Sequence, residues 1–254
     1  MSDEKKRKAL RTYFSPPRLI WPIIVLLIGL PGLGLTRDTF LPAIVVVVIA
    51  GIWLLFVFQK RSSAPSDQQV DQWFYEDVKR IAKQSLSKLG LDESMLVREA
   101  IPVTGPILWT TNGVPDRDLL WRKGKDDIVR FAVNRISVLQ FTDQVIAAYA
   151  CDFNFLKNVP LNDNTDEFHY LDIVSVSTKE DSTSYTLPTG TRMVHSQAFS
   201  MSVSSGESIK VTIDSDKLAE ITKGTIPITS AEKAVQVIRT MLREKKQVPQ
   251  RSVA

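Results

Sequence analysis

Residues 19–35 and 40–58 are two runs of 17 and 19 residues without a single charge, parted only by Thr36-Arg37-Asp38-Thr39. Uncharged stretches of that length constrain the chain more than anything else in it. At 1.5 Å per residue, helices over these runs span about 26 and 28 Å, close to the roughly 30 Å hydrocarbon core of a bilayer. The first run carries Pro22 and Pro31, with Gly29, Gly32 and Gly34 near its end; membrane helices tolerate such residues where their neighbours satisfy the freed backbone groups. The second run is almost continuous valine and isoleucine from Ala43 to Ala50. The pattern predicts a transmembrane helical hairpin over 19–58.

A four-residue link forces the two helices antiparallel, so both ends of the hairpin emerge on one side. Lys5, Lys6, Arg7, Lys8, Arg11 and Arg18 precede it, Lys60 and Arg61 follow it, and the link holds only Arg37, offset by Asp38. The excess of cations on the outer flanks places both termini and the main domain in the cytoplasm, beneath a bacterial-type inner membrane. Trp21, Trp53 and Tyr13 sit where interfacial anchors belong. A cleaved signal peptide fits less well, because no A-x-A-like site follows Leu35 and a second apolar run starts at once. A buried hairpin of a soluble protein seldom needs 19 uncharged residues.

The net charge of +4 is unevenly spread. Residues 1–61 hold nine Lys/Arg and three Asp/Glu, and residues 62–254 hold 23 Lys/Arg and 25 Asp/Glu. The basic balance therefore belongs to the membrane-flanking segment and suits anionic headgroups. A domain with a slightly acidic balance argues against nucleic acid as a partner. The single cysteine, Cys151, leaves no internal disulfide and suits a reducing compartment.

The organisation that follows is a basic leader at 1–18, disordered or surface-lying, the hairpin at 19–58, a Ser/Pro linker at 59–66, one α+β domain at 67–246, and a tail at 247–254. In 67–89, Val70, Trp73, Phe74, Val78, Ile81, Ala82 and Leu89 follow helical spacing, and Gly90 supplies a left-handed stop. Residues 92–99 read as a helical turn or short helix, 107–110 as a strand, and Asn112-Gly113 as a turn. From Ile128 the pattern becomes β. Residues 128–141, 145–155 and 168–177 read as strands, with turns at Thr142-Asp143-Gln144 and Asn162-Asp163-Asn164, then a polar loop over 178–198. Phe199, Met201 and Val203 alternate with serines, and Ile209, Val211 and Ile213 with Lys210 and Thr212. That period of two predicts a hairpin with one buried face. Residues 229–246 close the domain as a helix, with Thr229 and Glu232 at capping-box spacing and Lys245 and Lys246 in the last turn.

Antiparallel strands closed by one amphipathic helix are the order of a pleckstrin-homology-like barrel. The segments VNRISVLQFTDQVIAAYACDF and EFHYLDIVSV, with Thr142-Asp143 at one turn and Tyr170-Leu171-Asp172-Ile173 following, resemble bacterial membrane proteins that carry such domains. The resemblance covers about residues 130–213. It implies a mostly antiparallel β barrel with flanking helices in a membrane-associated adaptor without catalysis, and it carries over no phosphoinositide-binding residue.

No motif of catalysis accompanies it. His169 and His195 are the only histidines, and with Cys151 and Asp172 they lack metal-ligand spacing. G-x-S-x-G is missing, since Ser205-Gly206 belongs to a hairpin turn. Lys123-Gly124-Lys125-Asp126-Asp127 lacks the glycine-rich loop of a phosphate site. No cofactor is expected. The reading is a membrane-anchored, non-enzymatic scaffold whose partners are the lipid bilayer and either another protein or a second copy of itself. Trp73, Phe74 and Tyr75 are its first candidate contact residues, and the strand edge near Phe199–Ile213 its second. The alternatives are a headgroup or signal sensor, using Arg117, Arg122, Lys123 and Lys125, and a subunit of an oligomeric membrane effector.

Overall fold

A computed structural model of the chain describes residues 2–16, 20–35, 37–181, 184–188, 190, 192–193, 196–214, 216–227 and 229–247. The chain divides into two compact units, Met1–Ser66 and Asp67–Ala254.

The first unit is helical. The leader is a helix, α1 (Asp3–Phe14), and not a disordered segment. Arg7, Leu10, Tyr13 and Phe14 recur at helical spacing and are buried, which is reason enough for the segment to order. Helices α2 (Ile20–Leu35) and α3 (Arg37–Ser62) lie along each other. Arg37, Asp38 and Thr39, expected in the link, already belong to α3. Thr36 lies outside the described residues. Helix α3 also runs on through Ser62, so the spacer shortens to 63–66. Among the described residues one helix, Pro42–Ser62, is long and apolar enough to cross a membrane. Helix α2 has 16 residues and spans about 24 Å, short of a hydrocarbon core.

The second unit is α+β with mostly antiparallel sheets. Helix α4 (Asp67–Leu89) opens it and ends in a Schellman turn. Gly90 has φ +65°, its N–H donates to the Ser87 carbonyl (3.4 Å), and the Leu91 N–H donates to that of Leu86 (2.9 Å). A four-stranded sheet takes the order β1 (Arg98–Pro106), β4 (Val133–Phe141), β5 (Val145–Asn154), β6 (Val159–His169). A three-stranded sheet takes the order β11 (Ser208–Asp214), β10 (Ser196–Val203), β7 (Ile173–Asp181). Two small ladders, β2 (Trp121–Lys123) with β3 (Val129–Phe131) and β8 (Tyr185–Thr186) with β9 (Arg192–Met193), ornament the connections. Helices α5 (Asp216–Thr222) and α6 (Ala231–Gln247) complete the chain. The sheets do not close into a barrel among the described residues.

Strands β4 and β5 are buried on both faces, which is why their sequence runs almost continuously apolar instead of alternating. One face, with Leu139, Phe141, Ile146 and Ala148, joins the main core. The expected hairpin supplies Phe199, Met201, Val203, Ile209 and Val211 to that core, and α6 adds Ala234, Val235, Ile238 and Met241. The other face lies under α4. Gln140 donates through Nε2 to the Ala82 carbonyl (3.1 Å) and to Ser85 Oγ (3.0 Å), and the Phe74 ring meets Phe155 edge-on, centroids 5.5 Å apart.

Several local expectations change. Of the two expectations for 92–99 the helical turn is the one present, as a 3-10 turn at Glu93–Met95, and β1 already starts at Arg98. Residues 107–110 follow β1 as irregular chain. Asn162-Asp163-Asn164 lies inside β6, where the register with β5 shifts between Ala150 and Asp152. Asn162 takes φ +50° there; asparagine tolerates the left-handed region, and a bulge uses that as a turn would. The reverse turn lies instead at 155–158. The strand expected over 168–177 breaks at Tyr170-Leu171-Asp172, and β7 starts at Ile173.

Gly105 marks the closest approach of β1 to β11, because a Cβ there would fall on the Thr212 carbonyl oxygen. Gly105→Ala is expected to destabilise the protein by about 1–3 kcal/mol. In detergent-purified full-length protein this appears as a lower urea midpoint in near-ultraviolet circular dichroism at unchanged slope.

Candidate partner-binding site

Trp73, Phe74 and Tyr75 do not share a surface. Consecutive residues on a helix point about 100° apart, so no three in a row face one way. Trp73 is buried, Phe74 is half-buried against Phe155, and only Tyr75 is presented, at 62% exposure. The ammonium of Lys79 lies 5.6 Å from the Tyr75 ring centroid.

The membrane-flanking cations separate as well. Lys5, Lys8 and Arg11 are exposed on α1, and Lys6 is half-buried. Arg7 turns inward and pairs with Asp3 at 2.9 Å. Arg18 lies outside the described residues. Lys60 and Arg61 are exposed in the last turn of α3, with the Lys60 ammonium 4.6 Å from the Phe56 ring centroid.

Of the hairpin near Phe199–Ile213, expected to offer an edge, one strand of the two stands at an edge of its sheet. Strand β10, which begins the 199–213 hairpin, is the middle strand of its sheet. The edges are β11, which packs beside β1, and β7. Along β7 runs α6, whose Arg239, Arg243 and Lys246 recur at i, i+4 and i+7 on one helical face. Arg239 donates through Nη2 to the Val176 carbonyl (3.2 Å), and Lys246 through Nζ to that of Ile173 (3.0 Å). Both acceptors are neutral. The other charges of this turn are paired with opposite charges: Lys245 with Asp143 (3.3 Å), and Glu244 with Arg98 (3.4 Å).

In an antiparallel ladder a residue turns its N–H and C=O to the same side, and successive residues alternate. The Val176 carbonyl reaches Arg239, so it faces the open side. The register Val176↔Met201, Thr178↔Phe199, Glu180↔Gln197 runs without a shift, so Thr178 and Glu180 turn their backbone groups the same way. Leu171 and Val174, each 65% exposed, stand at the start of this edge. The turn before it is tied down: the Tyr170 hydroxyl donates to the Thr142 carbonyl (3.0 Å), and burial pushes the Tyr170 phenol up to about 12. The two turns quoted for the family resemblance thus touch.

Several charges in and beside the basic loop at 117–125 are paired. Arg130, only 6% exposed, pairs with Asp71 of α4 (2.6 Å) and with Asp126 (2.7 Å). Asp67 accepts the Lys125 N–H (2.9 Å), and Lys123 pairs with Asp127 (2.7 Å). Asp118 loses hydration on burial, but hydrogen bonds from Lys157 and Asn154 outweigh that and hold its carboxyl below the usual range.

Cys151 is buried, and desolvation pushes its thiol up to about 11, against the activation a nucleophile requires. His169 is exposed in β6, and His195 lies outside the described residues. Among the described residues no group of three or more His, Cys, Asp or Glu is placed to hold a metal ion. The stripe on α6 and the β7 edge were missed by reading Lys245 and Lys246 only as dipole partners; the i, i+4, i+7 spacing of Arg239, Arg243 and Lys246 was the available signal.

No protein-family model, no curated protein and no solved structure matches this chain.

Two measurements check this account. Cys151 should resist a thiol-specific disulfide reagent at pH 8 in the native protein and react once the chain is unfolded; fast native reaction contradicts the burial. The hydrogen bonds of Arg130 lower the Asp126 carboxyl to about 2 from its ordinary 3.8. Its stabilising contribution is therefore present above pH 3.8 and drains away as the pH falls through about 2. Asp126→Asn should lower Tm at pH 6, and its deficit against the parent protein should shrink by pH 2.5.

Proposed function

We propose that this protein is a membrane-anchored, non-enzymatic adaptor whose second unit presents a surface to a protein partner. The observation that carries the anchor is the exposure of α3. Its apolar window has mean hydropathy 2.5, and only 17% of it is buried. Ala43, Ala50 and Val57, spaced by sevens, form the buried seam, while Val45, Val48, Ile49, Ile52, Leu55 and Phe56 are exposed around the rest. A core helix of a water-soluble protein buries such a circumference, and a lipid-facing helix has no reason to. Helix α2 joins it as the second member of a transmembrane hairpin, and the cations on both flanks put the two termini and the second unit in the cytoplasm, beneath a bacterial inner membrane.

The second unit is a pleckstrin-homology-like domain on this reading. Support comes from the order of its main strands, four in one sheet and three in the next, followed by a C-terminal helix on the core. Its polar clusters are self-satisfied ion pairs, and its one thiol is desolvated, which favours binding over chemistry.

The full-length protein should remain in the membrane pellet after an alkaline carbonate wash. Val48→Arg with Ile52→Arg, at about 2.5–3.5 kcal/mol each near a helix centre, should release it. Release of the parent protein would sink the anchor. Mild-detergent purification with cross-linking and mass spectrometry tests the adaptor: one partner in fixed ratio on the second unit is expected. A ring of this chain alone would replace the adaptor with an oligomeric effector, and a monomer carrying only lipid would replace it with a sensor.

A further inference from the structure

An open sheet edge is ordinarily blunted by charges or covered, because unpaired N–H and C=O groups template the addition of another strand. At β7 the blunting is of an unusual kind. Arg239 and Lys246 sit on backbone carbonyls of the edge, where another strand's N–H groups would sit. Neither cation has a carboxylate partner among the described residues. Arg243, exposed between them on the same face of α6, extends the positive stripe. The stripe stands at Val176 and Ile173; beyond its Arg239 end, Thr178 and Glu180 turn outward backbone groups that leave a ladder to be completed, and Leu171 and Val174 offer apolar contact at the start of the strand.

We propose that the β7 edge takes an acidic, extended segment of a protein partner as an added strand. This rests on the adaptor reading and names its site and the chemistry of its partner. The incoming backbone N–H groups replace Arg239 and Lys246 on the carbonyls. The released cations, with Arg243, turn to the carboxylates of the segment. Until then the same side chains guard the edge, so neutral or basic strands gain nothing by displacing them. A cation that exchanges a neutral carbonyl for a carboxylate gains the attraction of an opposite charge, and for arginine a bidentate partner, and this sets the preference for acidic sequences.

The test uses full-length protein in nanodiscs of neutral lipid and two fluorescein-labelled decapeptides, one alternating Val with Glu and one alternating Val with Lys, read by fluorescence anisotropy. The acidic peptide is expected to bind, and more weakly as salt rises from about 50 to about 300 mM; the basic one is not. Arg239→Gln with Lys246→Gln should weaken binding at least tenfold. Thr178→Pro should abolish it, since that N–H faces outward and its loss spares the ladder with β10. Circular dichroism checks that both variants fold, and if Thr178→Pro does not, the double glutamine variant decides. No binding of the acidic peptide, equal binding of both, or binding unchanged in the double variant overturns the proposal. So does a dimer that Thr178→Pro dissolves and the acidic peptide cannot, which would assign the edge to a second copy. None of these results touches membrane retention or partner cross-linking, so failure here and failure of the adaptor reading are told apart.

Discussion

Strands β4 and β5 are taken out of water on both faces, and the second unit depends on that burial. A strand pair so placed needs a layer on each side. The 199–213 hairpin and α6 make one layer, and α4 makes the other. Each fully buried large apolar side chain contributes about 1.5–3 kcal/mol, so Phe141, Phe153, Phe199, Ile136, Leu139 and Ile146 outweigh any surface ion pair in the molecule. Two residues of this interior fix positions: Gln140 sets α4 on β4 by hydrogen bonds, and Gly105 lets β11 approach β1.

The same arrangement leaves β7 at an edge of the three-stranded sheet, as β6 stands at an edge of the four-stranded one. Strand β10 is paired on both sides and β11 is flanked by β1, so β7 inherits the open side of its sheet. Helix α6 is held near it because its apolar face belongs to the core. Its Arg239, Arg243 and Lys246 therefore lie along the edge as a consequence of core packing. An edge guarded by cations on neutral carbonyls is stable alone, and acidic in its preference once engaged.

The buried charge at Arg130 works differently. Removing an arginine from water is costly, and it is offset here by two carboxylates, one from α4 and one from the loop before β3. The pairing fixes the first turns of α4 on the domain.

The sequence by itself determined the apolar helix over the run at 40–58, the helix over 67–89 with its glycine stop, the antiparallel hairpin near 199–213, and the amphipathic C-terminal helix. In each case a repeated period or a long uncharged run is enough, because local geometry alone turns those residues to one face. It did not determine the ordered leader, the bulge at Asn162, the break at 170–172, or which strand lies at an edge. These depend on partners distant in the chain: a turn-forming Asn-Asp-Asn is absorbed into β6 once β5 fixes the register, and Trp73 or Tyr75 is core or surface only when α4 settles on β4. The site shares that division. Its cations are visible at i, i+4 and i+7, but that they stand beside an open strand was decided by tertiary structure, since edge position is a property of the whole sheet.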